Sequence, residues 1–131
     1  VKDGPDVVFH DLINSDETLS LVVSKLESDI DLKELGSAED VGKRLVGEVS
    51  SSEVQDREVE LLDTKEREFS GHTFYDLEYS VHLPQKSRHE FATVALDRGY
   101  LYTLAASSSE SRWPKVKDLY KRVVDSFTFL I

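Results

Sequence analysis

The chain has 131 residues, enough for one domain that buries roughly two thirds of the surface its unfolded form would expose. Its 26 Asp and Glu against 16 Lys and Arg give a formal net charge of -10, which repels phosphate backbones and anionic headgroups at long range and excludes nucleic acid as a partner. Cysteine is absent, which removes disulfides and thiolate-held cofactors and leaves the redox compartment open.

Taken in chain order, the elements begin with a hairpin. Val7, Phe9 and Asp11 alternate with Val8, His10 and Leu12, the run Asn14-Ser15-Asp16-Glu17 supplies turn chemistry, and Thr18 to Val23 resumes the strand. Ser37 stands three residues before Asp40 as in a capping box, and Val41, Leu45, Val46 and Val49 follow at helical spacing, predicting a helix over 37–49 that tolerates Gly42 and Gly47. The serine-rich stretch 50–56 reads as a mobile loop. From Glu58 a strand runs to the turn at Ser70-Gly71. The strand after it turns Tyr75, Leu77, Tyr79, Val81 and Leu83 to one side and His72, Asp76, Glu78, Ser80 and His82 to the other, with Phe74 as the apolar exception. The loop Pro84-Gln85-Lys86-Ser87 closes a hairpin, pairing Leu83 with Arg88 and His82 with His89. Phe91, Thr93, Ala95 and Tyr100 to Ala106 continue the sheet around the turn Asp97-Arg98-Gly99. Ser111 can cap a last helix with an apolar stripe of Trp113, Val116, Leu119, Tyr120, Val123, Val124 and Phe127, and a strand at 128–131 follows. These elements predict an α+β domain, a central antiparallel sheet flanked by helices. No apolar run approaches the roughly 18 residues of a membrane span, and the charged, turn-forming first residues are not those of a signal sequence.

Most fragments that look chemical fail on spacing. Gly36 to Gly42-Lys43 has five intervening residues where a phosphate-binding loop has four, and Arg44 where Ser or Thr must hold magnesium. His10 and Asp11 are adjacent on a strand, so their side chains face opposite ways and form no relay. Asp76 and Glu78 share a strand face, but nothing in the sequence supplies a cleft that would perturb either carboxyl, so no catalytic residue is assigned. Without a nucleophile elbow, a dinucleotide fingerprint or metalloprotease histidines, the chain does not read as an enzyme.

The histidine pair needs more weighing. Two neutral imidazoles side by side, with Glu78 further along the same face, could share zinc or another borderline cation, although an enclosed site needs a third and fourth ligand. The plainer reading of His82, His89 and Glu78 is an exposed hairpin surface. Arg112 and Trp113 are the residue types that concentrate binding energy at interfaces, which marks them as a candidate partner-binding spot. The competing reading makes Trp113 the first core anchor of the last helix. The acidic runs 27–31 and 53–60 read as solvated surface.

The words "GPDVVFHDLINSDETLSLVVS", "DLKELGSAEDVGKRL", "YDLEYSVHLP", "RHEFATVAL" and "LYTLAASSSESRWPKVKDLYKRVVDSF", in this order and spacing, resemble the PsbP family of photosystem II extrinsic proteins. The likeness is to its cyanobacterial-type and PsbP-like branch and runs nearly end to end. It implies an α/β/α sandwich of the PsbP/Mog1-like type over residues 1–131, beginning after the family's N-terminal strand. It further implies a non-enzymatic protein of the thylakoid lumen, peripheral to the membrane and not inserted in it. The partners implied are lumenal subunits of photosystem II or its assembly intermediates, in assembly, repair or stabilisation of the oxygen-evolving side. A subunit of another thylakoid complex, or a lumenal domain binding zinc or calcium at its surface, is the alternative. No cofactor is required on this reading, and family zinc binding would fall on His82, His89 and neighbouring carboxylates. A net charge of -10 is a poor match for docking mainly through lysines, which favours an accessory role over the oxygen-evolving subunit itself.

Overall fold

In a computed structural model, the structure describes residues 7–10, 17–26, 30–50 and 58–127. Six strands, β1 (Val7–His10), β2 (Thr18–Lys25), β3 (Glu58–Phe69), β4 (His72–His82), β5 (Ser87–Asp97) and β6 (Tyr100–Ser109), form one sheet in the order β1-β2-β6-β5-β4-β3. Every neighbouring pair is antiparallel. Two helices, α1 (Ala38–Ser50) and α2 (Trp113–Ser126), lie on opposite faces, giving the predicted α/β/α sandwich. The strand expected at 128–131, Asp11 and most of the serine-rich stretch lie outside the described residues.

Local chemistry fixes the elements. Asp31 accepts from the Lys33 N–H at 3.3 Å and Glu34 accepts from the Asp31 N–H at 3.3 Å, opening a short 3-10 turn at Leu32–Leu35. Ser37 and Asp40 then form the predicted reciprocal cap, the Asp40 N–H donating to Ser37 Oγ at 3.1 Å and the Ser37 N–H to Asp40 Oδ2 at 3.2 Å. The Ser37 N–H holds the Asp40 carboxyl below its ordinary value by stabilising the charged form. Two-residue turns at Ser70-Gly71 and Arg98-Gly99 have positive φ at both positions, 52° and 80°, then 51° and 82°. That conformation matches the twist of the strands they join.

The face beneath α1 is apolar. Tyr75, Leu77, Tyr79 and Val81 of β4 and Ala92 and Val94 of β5 pack against Leu32, Ala38, Val41 and Leu45. Each large side chain removed from water there contributes about 1.5–3 kcal/mol. Close approach has a steric condition: a Cβ at Gly42 would lie 3.1 Å from Leu61 Cδ2 and 3.2 Å from Thr64 Cγ2 of β3. A bulge at Leu61/Asp63 inserts Leu62 into β3, so that Val59 and Leu61 before it and Thr64 after it all turn toward α1.

The face beneath α2 differs from expectation. The polar side of β4 is only partly open to water: α2 crosses the neighbouring strands β5 and β6 on this face, and His72, Asp76, Glu78 and His82 are half-buried. Thr93 and Ser108 are fully buried there together with Phe74. The apolar stripe of α2 is also narrower than its spacing predicts, because Leu119 is 54% exposed while Trp113, Val116 and Val124 are buried. Ser111 does not cap the helix. Arg112 occupies the N-cap in a helical conformation with no side-chain cap, and Pro114 opens the first turn.

Arg67 closes this face. From β3 its Nε donates to Asp76 Oδ2 at 2.7 Å, its guanidinium donates to the Val124 carbonyl at 3.0 Å and lies near Thr93 Oγ1 at 3.5 Å, and it sits 4.4 Å from the Phe74 ring centroid. Arg67→Ala removes these contacts and leaves Asp76 half buried without its cation, so urea denaturation is expected to show a loss of about 3 kcal/mol, with Arg67→Lys recovering only a minor fraction. A second expected outcome concerns alkaline pH. Burial, reinforced by the Glu90 carboxylate, pushes the Tyr79 hydroxyl well above its ordinary value of 10.0. The native state then holds this proton more tightly than the unfolded chain, so the contribution is intact below pH 10 and is lost as pH rises toward the raised native value. Stability measured by denaturant titration should therefore fall above pH 10, and less steeply in Tyr79→Phe.

Candidate functional site

The sequence points to the β4–β5 hairpin, and the structure corrects its register. Strand β4 pairs with β5 as Ser80↔His89 and His82↔Ser87, so the histidines are diagonal neighbours and not directly opposed. The cause is the loop: Leu83 begins it, its N–H donating to the Lys86 carbonyl at 2.8 Å, and the strands resume one residue earlier on each side. The shift is two residues in register, which keeps every side chain on its predicted face.

The two imidazoles have separate partners. His82 lies 3.0 Å from Ser87 Oγ through Nδ1 and 3.2 Å from Ser80 Oγ through Nε2. His89 is 7% exposed, against the expectation of a surface position, and sits between two carboxylates. Its Nε2 is 2.6 Å from Glu78 Oε2 and its Nδ1 is 2.9 Å from Glu110 Oε1. A neutral ring has one N–H, so both carboxylates are met by a donor only when the ring is the imidazolium. Glu110 comes from the turn between β6 and α2, and no local sequence signal connects it to a histidine 21 residues earlier.

Trp113, the first residue of α2, lies flat on His89, with ring centroids 3.9 Å apart and planes inclined by 18°. Phe91 meets the same indole edge-on at 4.8 Å. The stacked indole also shields the contacts of His89 with the two carboxylates from water. Trp113 is therefore an interior anchor at 7% exposure and presents no indole surface to a partner. Arg112 beside it is also engaged, donating to Glu17 Oε1 at 3.0 Å, where Glu17 is 6% exposed. That contact ties the start of α2 to the residue before β2.

The candidate site is thus a part-buried cluster of ionisable groups at the hairpin end of the sandwich, with both nitrogens of His89 met by carboxylates and Asp76 by Arg67. Among the described residues no group of three or more His, Cys, Asp or Glu side chains is placed to hold a metal ion. Also among them, no helix is long and apolar enough to cross a membrane.

Fold and cluster together define an α/β/α domain whose buried ionisable groups hold the helix α2 onto the sheet. The PsbP family model matches residues 1–129. The CyanoP protein of Thermosynechococcus vestitus is 41% identical over 98% of the chain and 73% of its own length. PsbP-like protein 1, chloroplastic, of Arabidopsis thaliana is 30% identical over 100% of the chain and 56% of its own length. The solution structure of cyanobacterial PsbP (CyanoP) from Synechocystis superposes with a TM-score of 0.86 at 41% identity, covering 98% of this chain and 76% of that one. The chain belongs to the PsbP family.

His89→Ala leaves Glu78 and Glu110 facing each other without their shared donor and opens a space beside Trp113. Chemical denaturation is expected to show a loss of about 2–3 kcal/mol, while His82→Ala, which breaks only contacts to serine hydroxyls, should cost about 1 kcal/mol or less.

Proposed function

We propose that the chain is a non-enzymatic accessory protein of the thylakoid lumen, peripheral to the membrane, that docks on photosystem II or its assembly intermediates. Its role on this reading lies in assembly, repair or stabilisation of the oxygen-evolving side. The observation that carries the proposal is the nearly complete family match together with 41% identity to a cyanobacterial member. The geometry supports a binding role: Asp76, Glu78, His89 and Glu110, the groups that general acid-base chemistry would need, are bound to one another or to Arg67 and hold the helix in place. The chain spans about three quarters of the cyanobacterial relative and little more than half of the chloroplast one. Partners are accordingly sought with this domain as it stands.

The test is a pull-down from solubilised thylakoid membranes with the tagged chain, the retained complexes being identified by mass spectrometry. Retention of photosystem II cores or their precursors is the expected outcome. Retention of a different thylakoid complex instead would overturn the photosystem II assignment.

A further inference from the structure

On the opposite face, α1 lies over β3 and β4, and a groove of about 200 Å³ runs between its other flank and β6. Val41 and Leu45 of α1 line it on one side and Leu101 of β6 on the other, all half-buried, with the buried Val94 of β5 between them. Among the described residues, Arg44 is the one charged side chain of the lining and Thr103 the only other polar one. The Arg44 guanidinium donates to the carbonyl of Leu35, itself a lining residue, and this contact holds it at the groove. That takes one of the five N–H donors a guanidinium has. Among the described residues Arg44 forms no ion pair, although Asp40 stands four residues earlier, at the spacing of a helical pair. The Asp40 carboxylate instead accepts from the Ser37 N–H at 3.2 Å, and Glu39 on the same helix is paired with Lys43 at 3.8 Å.

We infer that this groove receives the C-terminus of a partner protein that ends in an apolar residue. The last side chain enters over Val94 and Leu101, and the terminal carboxylate pairs with Arg44. Charge complementarity selects this occupant first: the lining holds one cation and no carboxylate in an otherwise apolar surface, which complements one anion attached to an apolar body. A guanidinium meets a carboxylate with two parallel N–H···O bonds, and the Leu35 carbonyl has positioned it beforehand, which lowers the ordering cost of binding. The number of charges is limited from the other side. A net charge of -10 repels an acidic tract or an anionic bilayer, and leaves a single terminal carboxylate as the anion that one guanidinium can hold. A chain terminus carries that carboxylate and a side chain on one residue, which suits a groove below the roughly 300–1,000 Å³ of a site for a drug-sized molecule. The inference rests on the accessory reading only for where the partner resides; the recognition chemistry stands on the groove.

The experiment titrates the ¹⁵N-labelled chain with the probe peptide acetyl-Gly-Ser-Gly-Leu, its C-terminus free, and follows amide shifts. Shifts are expected at Leu35, Val41, Leu45 and Leu101. Affinity is expected to be at least about tenfold lower for the amidated peptide, for the peptide ending in Ser, and in Arg44→Gln, with Arg44→Lys retaining part of it. The amidated peptide tests the charge on the wild-type chain, so the result does not depend on how stable the variants are. No shifts, shifts confined to other residues, equal affinity for the amidated peptide, or binding of octanoate as tight as that of the peptide would each overturn the inference. The thylakoid pull-down separates it from the functional reading. A photosystem II complex retained equally by wild type and Arg44→Gln overturns the groove and leaves the photosystem reading intact, while peptide binding in the groove with an empty pull-down does the reverse.

Discussion

The guanidinium of Arg67 is the constraint around which the α2 side of this domain is organised. It leaves the edge strand β3, crosses the polar side of β4 at Asp76 and Phe74, reaches toward Thr93 of β5, and caps a carbonyl in the last turn of α2. A helix C-terminus leaves carbonyls without intrahelical donors, and a carboxylate on a covered strand needs a cation. One planar group with five donors meets both needs, which an ammonium of similar reach does not. Because Arg67 comes from the edge strand, the position of α2 over β5 and β6 depends on how far β3 extends and on its register beyond the bulge at Leu62.

The other end of α2 is held by a matching arrangement. Trp113 lies on His89, His89 spans Glu78 and Glu110, and Arg112 holds Glu17. The helix is therefore fastened at both ends by charge pairs under partial cover, whereas α1 is fastened along its length by apolar contact. These modes differ in what they confer. Apolar burial supplies free energy without directional demands, while shielded ion pairs add little net energy but make misplacement of the helix costly, since any shift strands a charge. That fixes the residues outside the pairs as well. Lys117 and Lys121 of α2 stand beside Lys65 of β3 on this flank, among the carboxylates of Asp63 and Asp125.

Both faces of the sheet carry a helix, so the sandwich presents helix surfaces, loops and strand edges to its surroundings. The match of 0.86 in TM-score to a cyanobacterial PsbP structure shows that this arrangement is shared at 41% identity. Membership of the family accounts for the architecture.

Much of the fold was legible in the chain. Capping chemistry at Ser37 and Asp40 placed α1 within one residue of its observed start, the alternation from Tyr75 to Val81 placed the buried face of β4, and Asp-Arg-Gly and Ser-Gly marked turns that positive φ demands. These features depend on interactions spanning a few residues, which sequence encodes directly. The cover on the second face did not follow from such interactions. A strand side carrying His72, Asp76, Glu78 and His82 reads as solvent-facing, and it is half-buried, with Arg67 arriving from β3 at Asp76 and Glu110 and Trp113 meeting His89 beside Glu78. The histidine register turned on where a four-residue loop begins, a choice made by one backbone hydrogen bond at Leu83. Residue pattern by itself determined most of the elements and the α+β class, because periodicity and turn chemistry are local, while the resemblance to the family rested on the order and spacing of whole sequence words. Only the tertiary structure decided which charges are paired inside the fold and which stay at its surface, because a charge finds its counterpart in space and not along the chain.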